Sequence, residues 1–252
     1  MECKIEIVFD RELLRIQREE QKEEYHGKFR PSSLGRCYRY QIKQRRQDPI
    51  TNPIPVKTLR VFWIGKLIHT MLQELFPKEC CEVPFSWDDI QGSADLVMDR
   101  VWDFKSIKHY PFTLLKKKDF DIRSKLPEVL QTMMYTRAHE KEVGVLVFVD
   151  KNTMEFHEIE LKLVDWINEL HKELSTLRRY WDANLSHDML PAIKPRAYGG
   201  KECGYCVYRD ACKSEATDQE MVYFEEKKKK KKEVKSDGVT TERKEQEGPR
   251  LF

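Results

Sequence analysis

Residues 81–107, CEVPFSWDDIQGSADLVMDRVWDFKSI, decide the fold class of this chain. The stretch contains three short runs of β-forming residues, separated by DDIQ and by Asp99-Arg100. The runs are CEVPFSW (81–87), GSADLVM (92–98) and VWDFKSI (101–107). We therefore predict a three-stranded meander within an α/β domain.

The third run carries a carboxylate and a lysine on one face of the strand. Asp103 and Lys105 are two residues apart, so their side chains point the same way, whereas Phe104 points into the opposite layer. Asp95 lies on the preceding strand. Two carboxylates from neighbouring strands can bind a hard divalent cation through their oxygens. A lysine beside them can position or deprotonate a water, or neutralise charge that develops on a phosphate.

The length of the connection before this strand decides whether these side chains meet. Directly opposed residues of a hairpin share a face, so Asp95 must lie opposite Asp103 or Lys105. A two-residue turn at Asp99-Arg100 would instead place Asp95 opposite Phe104. A site built from these residues therefore requires a three-residue connection or a bulge.

Helical patterns flank the meander. Residues 58–75 have apolar side chains at helical spacing and place His69 on a helix, where its imidazole would add a nitrogen ligand. Gln131 and Tyr135 share one face of a helix predicted at 127–140. Further predicted elements are a helix at 11–26, a helix that begins at Pro31 and carries Cys37 on its first turns, strands at 144–150 and 154–161, and an amphipathic helix at 163–184.

The order of these motifs resembles the RecB-like branch of the PD-(D/E)XK nucleases. Each motif alone is weak, because D-x-K pairs and single helical histidines occur in many proteins. The ordered set is G-x3-H at Gly65/His69, G-x2-D at Gly92/Asp95, D-F-K-S at 103–106 and Q-x3-Y at Gln131/Tyr135. The resemblance covers roughly residues 30–213. It implies a restriction-endonuclease-like core, with a mixed central sheet flanked by helices, that hydrolyses DNA phosphodiesters.

The resemblance also implies a role for each matched residue. His69, Asp95 and Asp103 would bind Mn or Mg, together with the main-chain carbonyl of Phe104. Lys105 would serve the attacking water. Gln131 and Tyr135 would position the substrate strand and brace the site. The implied catalytic set is Asp95, Asp103, Lys105, Gln131 and Tyr135; Asp103 stands where many relatives have glutamate, which has a longer reach.

Four of the seven cysteines have a spacing that is typical of ligands. Cys203, Cys206 and Cys212 form C-x2-C-x5-C, and Cys37 stands far upstream. Four thiolates suit tetrahedral zinc or an iron–sulfur cluster, and buried cysteines without a ligand are the third alternative. The remaining cysteines, expected to be small core or surface residues, are Cys3, Cys80 and Cys81.

A second resemblance concerns these cysteines. One cysteine before the nuclease motifs and C-x2-C-x5-C after them resembles the iron–sulfur box of the CRISPR-associated Cas-four nucleases and of AddB-type helicase–nucleases. The lead-in PSSLGRCYRYQ (31–41) also resembles the Cas-four entry to its first cysteine. This implies a 4Fe-4S cluster that ties the two ends of the chain into a helical, cysteine-bound cap. Its ligands would be Cys37, Cys203, Cys206 and Cys212.

Two basic segments are typical of a path for single-stranded DNA, because cations neutralise phosphates and rings stack on bases. A solvated surface is the alternative for any single residue. The first segment contains Arg36, Arg39, Lys43, Arg45 and Arg46. The second contains Lys108, His109, Tyr110, Phe112 and Lys116 to Lys118.

Composition and charge distribution complete the domain assignment. The chain has 252 residues and a net charge of +3, with an unbroken lysine run at 227–232 in a polar C-terminal segment. No apolar run is long enough to cross a membrane, and the first residues lack a secretion signal, so a cytoplasmic protein is expected. We predict an N-terminal cap part at 1–57, a nuclease core at 58–190, a cysteine segment at 191–216 and a disordered tail at 217–252.

The sequence therefore predicts a metal-dependent DNA nuclease, acting as an exonuclease on single strands or frayed ends. Partner integrase, nuclease or helicase subunits would fit this function in CRISPR-associated defence or recombination. A non-catalytic DNA-binding or scaffold protein of the same fold is one alternative, against which the intact Asp95, Asp103 and Lys105 argue. A zinc-bound nucleic-acid-binding factor is the other, and iron content separates it.

Overall fold

The computed structural model describes residues 4–22, 27–87 and 89–225. Within these residues five strands form one mixed sheet in the order β1-β2-β3-β4-β5. The strands are β1 Cys81–Ser86, β2 Gln91–Val97, β3 Val101–Ile107, β4 Val143–Asp150 and β5 Phe156–Lys162. Neighbouring strands are antiparallel except β3 and β4, which are parallel. The predicted meander and the mixed sheet of an α/β domain are confirmed.

Helices flank this sheet, and the predicted ones lie close to their observed positions. The α-helices of the described residues are α1 Lys4–Lys22, α2 Tyr38–Arg46, α3 Val56–Gln73, α4 His109–Leu115, α5 Leu126–Ala138, α6 Leu163–His187 and α7 Arg209–Ser214. α4 and α5 lie on the crossover that joins β3 to β4. The helix predicted at 11–26 begins earlier, at Lys4, and residues 23–26 lie outside the described residues. None of the described helices is long and apolar enough to cross a bilayer.

The two faces of the sheet pack against different helices. On one face, Leu146 of β4 packs in the same cluster as Met133 of α5. On the other face, Phe104 of β3 packs with Ile68 and Leu72 of α3. Phe104 therefore does point into the layer opposite to that of α5, as the alternation of side chains along a strand predicts.

The segment before α2 differs from the prediction. Pro31–Ser33 forms one 3-10 turn, and Gly35 follows with a φ of +75°. A Cβ at Gly35 would lie 3.0 Å from the Cα of Pro127, so this left-handed turn against α5 favours glycine. The helix therefore begins at Tyr38, and Cys37 is its N-cap residue rather than a residue of its first turns.

The C-terminal packed segment extends past the predicted boundary at residue 216. Phe224 is 6% exposed and packs in a cluster with Cys203 and Cys212. Glu220 accepts a hydrogen bond from the Ile193 N–H at 2.5 Å. Residues 217–225 thus belong to the packed structure, and 226–252 of the predicted tail lie outside the described residues.

Two buried glutamates connect the two ends of the chain. Glu173 of α6 accepts hydrogen bonds from the Arg196 guanidinium at 2.7 and 3.0 Å and from the Gly35 N–H at 2.9 Å. Glu202 accepts from the Cys37 N–H at 3.0 Å. Both carboxylates are 1–2% exposed. Such buried charges persist only when hydrogen bonds and counter-charges satisfy them.

We expect Glu173→Ala to lower the free energy of unfolding by about 3–5 kcal/mol, because it leaves the Arg196 charge buried without its partner. Glu169→Ala is the matched control on the same helix. Its ion pair with Arg123 at 3.3 Å is solvent-exposed, so we expect a loss of at most about 1 kcal/mol. Denaturant unfolding of both variants measures the difference. Equal losses would show that Glu173 does not hold the cap to α6.

Candidate active site

The β2–β3 connection has the length that the site requires. The ladder pairs Leu96 with Trp102 and Val97 with Val101, which leaves Met98 to Arg100 as a three-residue connection. The Met98 N–H donates to the Arg100 carbonyl at 2.9 Å. Continuing the same register places Asp95 opposite Asp103. The prediction of a three-residue connection is confirmed.

Asp103 and Lys105 form a largely buried ion pair between β3 and α5, in which the lysine side chain is 21% exposed. Asp103 is fully buried, and the Lys105 ammonium lies 2.8 Å from one of its carboxylate oxygens and 3.0 Å from the other. The same ammonium donates to Gln131 Oε1 at 3.0 Å. Burial disfavours the charged amine, but the charges of Asp103 and Asp95 outweigh it and raise the pKa of Lys105. The lysine is therefore an internal cation of the site.

Asp95 and His69 meet at the backbone of Phe104. Asp95 Oδ2 accepts a hydrogen bond from the Phe104 N–H at 2.7 Å and lies 3.7 Å from His69 Nδ1. Burial and the nearby charge of Asp103 raise the pKa of Asp95. Burial and the charge of Lys105 lower the pKa of His69, while a hydrogen bond with the Phe104 backbone opposes this shift. His69, Asp95 and Phe104 are thus brought together as the resemblance implies.

These groups fit the chemistry of a divalent cation. Two buried carboxylates repel each other, and an added cation between them and a neutral imidazole would relieve that repulsion. Among the described residues, no three His, Cys, Asp or Glu side chains stand in an arrangement that could hold a metal ion. Metal binding at this site therefore remains a proposal.

Tyr135 has a narrower role than the resemblance implies. It is 5% exposed, and its ring packs edge-on against Phe85. Its hydroxyl accepts a hydrogen bond from Gln131 Nε2 at 3.1 Å. Tyr135 can therefore brace Gln131, but its burial keeps it from contacting a substrate strand.

Sequence reasoning missed two residues that support Asp103. From α5, the Thr132 hydroxyl donates a hydrogen bond to Asp103 Oδ2 at 3.2 Å. Gly144, at the start of β4, lets α5 approach the sheet closely. A Cβ there would lie 2.4 Å from Thr136 Oγ1 and 2.7 Å from Thr132 Cγ2. The sequence signal that was available is a glycine that opens a buried strand.

We expect Gly144→Ala to lower the free energy of unfolding by about 1–3 kcal/mol, because the new methyl group overpacks the contact between α5 and β4. Displacing Thr132 should also lower any activity that depends on Asp103. Gly204→Ala is the control, because a Cβ at Gly204 meets nothing within 4 Å. Melting curves and activity of both variants test this. A Gly144→Ala protein that matches Gly204→Ala in both would show that the approach of α5 is not tight.

The cysteines singled out by their spacing lie close together in the cap. Cys203 lies in a 3-10 turn, Cys206 ends that turn, and Cys212 lies in α7. Burial raises the pKa of Cys203 to about 12, and the charges of Cys37, Cys206 and Cys212 add to this shift. Cys80 and Cys81 lie elsewhere: Cys80 ends the 3-10 turn before β1, Cys81 begins β1, and both pack against the cluster between α3 and the sheet.

Burial raises the pKa of all four thiols, and backbone hydrogen bonds to two of them oppose this shift. Backbone groups of Tyr40, Lys194 and Arg39 hydrogen-bond Cys37 and lower its pKa, against the larger effect of burial. The Tyr208 N–H donates to Cys206 Sγ at 3.4 Å. Hydrogen bonds to sulfur are a normal feature of iron–sulfur sites, because they stabilise the charge of the ligands.

The first basic segment is engaged within the cap. Lys43 is 4% exposed and pairs with Glu215 at 3.0 Å, and Arg36 pairs with Glu202 at 2.9 Å. Arg39 donates a hydrogen bond to the Pro191 carbonyl, Arg45 stacks on the Trp181 ring, and Arg46 pairs with Asp48. The prediction that these five residues line a DNA path is corrected, because their charges hold the cap together.

The second basic segment is only partly exposed. Phe112 is 1% exposed and lies in the core, so the prediction that its ring stacks on bases is wrong. Lys116 pairs with Glu155. Tyr110 is 72% exposed and remains available for a contact with a base.

Comparison with known proteins shows a shared fold. No protein-family model and no curated protein matches the chain in sequence. The crystal structure of SSO0001 superimposes with a TM-score of 0.50 at 19% identity, over 81% of this chain and 96% of that one. The similarity is one of fold alone.

Two further solved structures are more distant. The alkaline exonuclease LHK-Exo from Laribacter hongkongensis has a TM-score of 0.42 at 13% identity, over 64% of this chain and 91% of its own. A phage-related exonuclease from Haemophilus somnus 129PT has a TM-score of 0.38 at 12% identity, over 66% of this chain and 98% of its own.

Proposed function

We propose that this chain is a metal-dependent nuclease that hydrolyses DNA phosphodiester bonds. The observation that carries the proposal is the buried Asp103–Lys105 pair beside Asp95 and His69. Burying a lysine ammonium beside two carboxylates and an imidazole costs free energy of folding, because each charge loses its hydration. Such a cluster is expected where function requires it.

Each residue has a defined part in the proposed reaction. His69, Asp95, Asp103 and the Phe104 carbonyl would hold Mn or Mg, which would supply Lewis-acid polarisation of the scissile phosphate. Lys105 would orient the attacking water and offset charge that develops on the phosphate. Gln131 keeps the ammonium in place through its 3.0 Å hydrogen bond. The water oxygen bonds to phosphorus as the P–O3′ bond breaks, which leaves a 5′-phosphate and a 3′-hydroxyl.

We further propose that Cys37, Cys203, Cys206 and Cys212 hold a structural 4Fe-4S cluster. The packing of Cys203, Cys206 and Cys212 in one cluster of the cap and the hydrogen bonds to Cys37 and Cys206 support this. The cluster would join the chain ends across the core. Single-stranded DNA or frayed ends are the proposed substrate, with exonuclease action, and helicase or integrase subunits are the proposed partners.

Digestion of matched linear and circular single-stranded DNA tests the nuclease proposal. We expect degradation of 5′- and 3′-labelled linear strands with Mn or Mg, and none with EDTA. Circular strands should survive if the enzyme requires an end, and their cleavage would replace the exonuclease assignment by an endonuclease one. A protein that leaves every substrate intact with either metal is not this nuclease.

A further inference from the structure

A buried carboxylate holds an exposed histidine beside the candidate active site. Asp150 ends β4 and is fully buried, and His109 begins α4 directly after β3. Asp150 Oδ2 lies 2.5 Å from His109 Nδ1, yet the histidine side chain is 56% exposed. Asp150 is also fixed by the Asn152 N–H at 2.9 Å and by the Thr153 hydroxyl at 3.0 Å. The carboxylate thus orients the imidazole and leaves its second nitrogen free to point away from Asp150.

Two lysines accompany this histidine. Lys151 follows Asp150, and its ammonium donates to the Val61 carbonyl at 3.2 Å. Lys108 precedes His109 and is exposed. Burial lowers the pKa of Lys151, and repulsion from the Lys108 charge adds to this shift. A bound anion would relieve that repulsion.

The position of Lys151 relates this cluster to the candidate metal ligands. A Cβ at Gly65 of α3 would lie 3.1 Å from Ser106 Oγ and 3.9 Å from Lys151 Nζ. Gly65 precedes His69 by about one helical turn, on the order of 6 Å, and Ser106 follows Phe104 by two residues of β3. Asp150 lies opposite Ile107 in the β3–β4 ladder, and Ile107 is two residues beyond Lys105 on the same strand face, about 7 Å along β3, a step comparable to the separation of successive phosphates on a strand.

We propose that Lys108, His109 and Lys151 bind the DNA phosphate next to the scissile one, and that Asp150 positions His109 for that contact. The assignment of this phosphate as a neighbour of the cleaved bond rests on the proposed nuclease function. Two ammonium groups and an imidazole N–H are suitable donors to a phosphate oxygen, and charge-assisted hydrogen bonds are the strong ones. The site recognises the backbone and not the bases, so it binds any sequence.

Binding of a labelled single-stranded oligonucleotide without divalent metal tests the site in the absence of cleavage. We expect His109→Ala and Lys151→Met each to weaken binding by about tenfold, the value of one charged hydrogen bond. The slope of log K against log salt should fall by about 0.7 for each lost phosphate contact. The matched controls, His187→Ala and Lys172→Met, change exposed residues of α6 and should alter neither affinity nor slope.

A neutral methylphosphonate placed at each position of the oligonucleotide locates the contact. We expect one position, adjacent to the cleaved bond, at which the replacement weakens the wild type but has little further effect on His109→Ala. Asp150→Asn should weaken binding in the wild type and add little to His109→Ala, because it acts through the histidine. If Asp150 has only a structural role, Asp150→Asn will weaken DNA binding equally in the wild type and in His109→Ala.

Hydrolysis of bis(p-nitrophenyl) phosphate with Mn keeps the two proposals distinct. This small diester has no neighbouring phosphate, so its hydrolysis by the wild type reports on the proposed nuclease function alone. If the wild type binds DNA with the expected dependence on salt and on the variants but cleaves no substrate, the nuclease proposal is wrong and the phosphate site stands. The site is overturned if the wild type does not bind the oligonucleotide, or if His109→Ala and Lys151→Met behave like their controls.

Discussion

Asp103→Asn will lower the rate of DNA hydrolysis by about a thousandfold or more and leave the protein folded, because it removes one charge from the cation-binding pair while keeping the side-chain shape. Lys105 retains Asp95 as a counter-charge, and Asp95 loses the repulsion that raises its pKa. Lys105→Met, which keeps the aliphatic stem, should reduce the rate similarly. Single-turnover cleavage of an end-labelled strand in Mn, with melting curves, measures both effects.

Asp99→Asn is the matched control for Asp103→Asn. Asp99 lies in the same hairpin, its side chain is 72% exposed, and it faces only Arg100 at 3.4 Å. We expect its rate and stability to equal those of the wild type. Near-normal metal-dependent turnover in Asp103→Asn or Lys105→Met would remove the active-site assignment, even if the chain remains a nuclease through other residues.

The strand face of the site could be predicted because it depends on local rules. Side chains alternate along a strand, so Asp103 and Lys105 had to share a face, and the hairpin register then limited Asp95 to a particular connection length. The observed ladder has that connection. His69 required more than periodicity, because only the order of the motifs relative to the meander distinguishes it from any other helical histidine.

The supports of the site could not be predicted from local patterns, because they depend on contacts between distant segments. Thr132 reaches Asp103 only because α5 packs on β3, with Gly144 allowing the close approach. Glu173 occupies a position on an amphipathic helix that predicts solvent exposure, yet its partner Arg196 makes it a buried anion. The basic residues around Cys37 were misjudged for the same reason, since their acidic partners lie far along the chain.

Cys206→Ser will remove the iron from the purified protein and lower its melting temperature. A cluster that joins Cys37 to the cysteines of the C-terminal segment closes a loop of most of the chain, and the free energy of cluster binding adds to that of folding. The buried glutamates also join these ends, with Glu202 bonded to the Cys37 N–H at 3.0 Å, so the variant should remain partly folded. Nuclease activity should fall less than in Asp103→Asn, because the site lies in the core. Iron and sulfide per chain, absorbance near 400 nm and melting curves measure these effects.

Cys80→Ser and Cys81→Ser are the matched controls, because both cysteines are partly buried at the start of β1 and away from the cap. Their iron content and colour should equal those of the wild type. Full iron in Cys206→Ser would show that the cysteine is not a ligand. If the wild type binds zinc and no iron, the four-thiolate site stands but the ligand is zinc instead of a cluster. The nuclease proposal would be unaffected, because among the hydrogen bonds of the described residues no cysteine contacts Asp95, Asp103 or Lys105. The two proposed centres are therefore separable by experiment: Mn or Mg would act at the sheet, and iron would act on the folding of the cap.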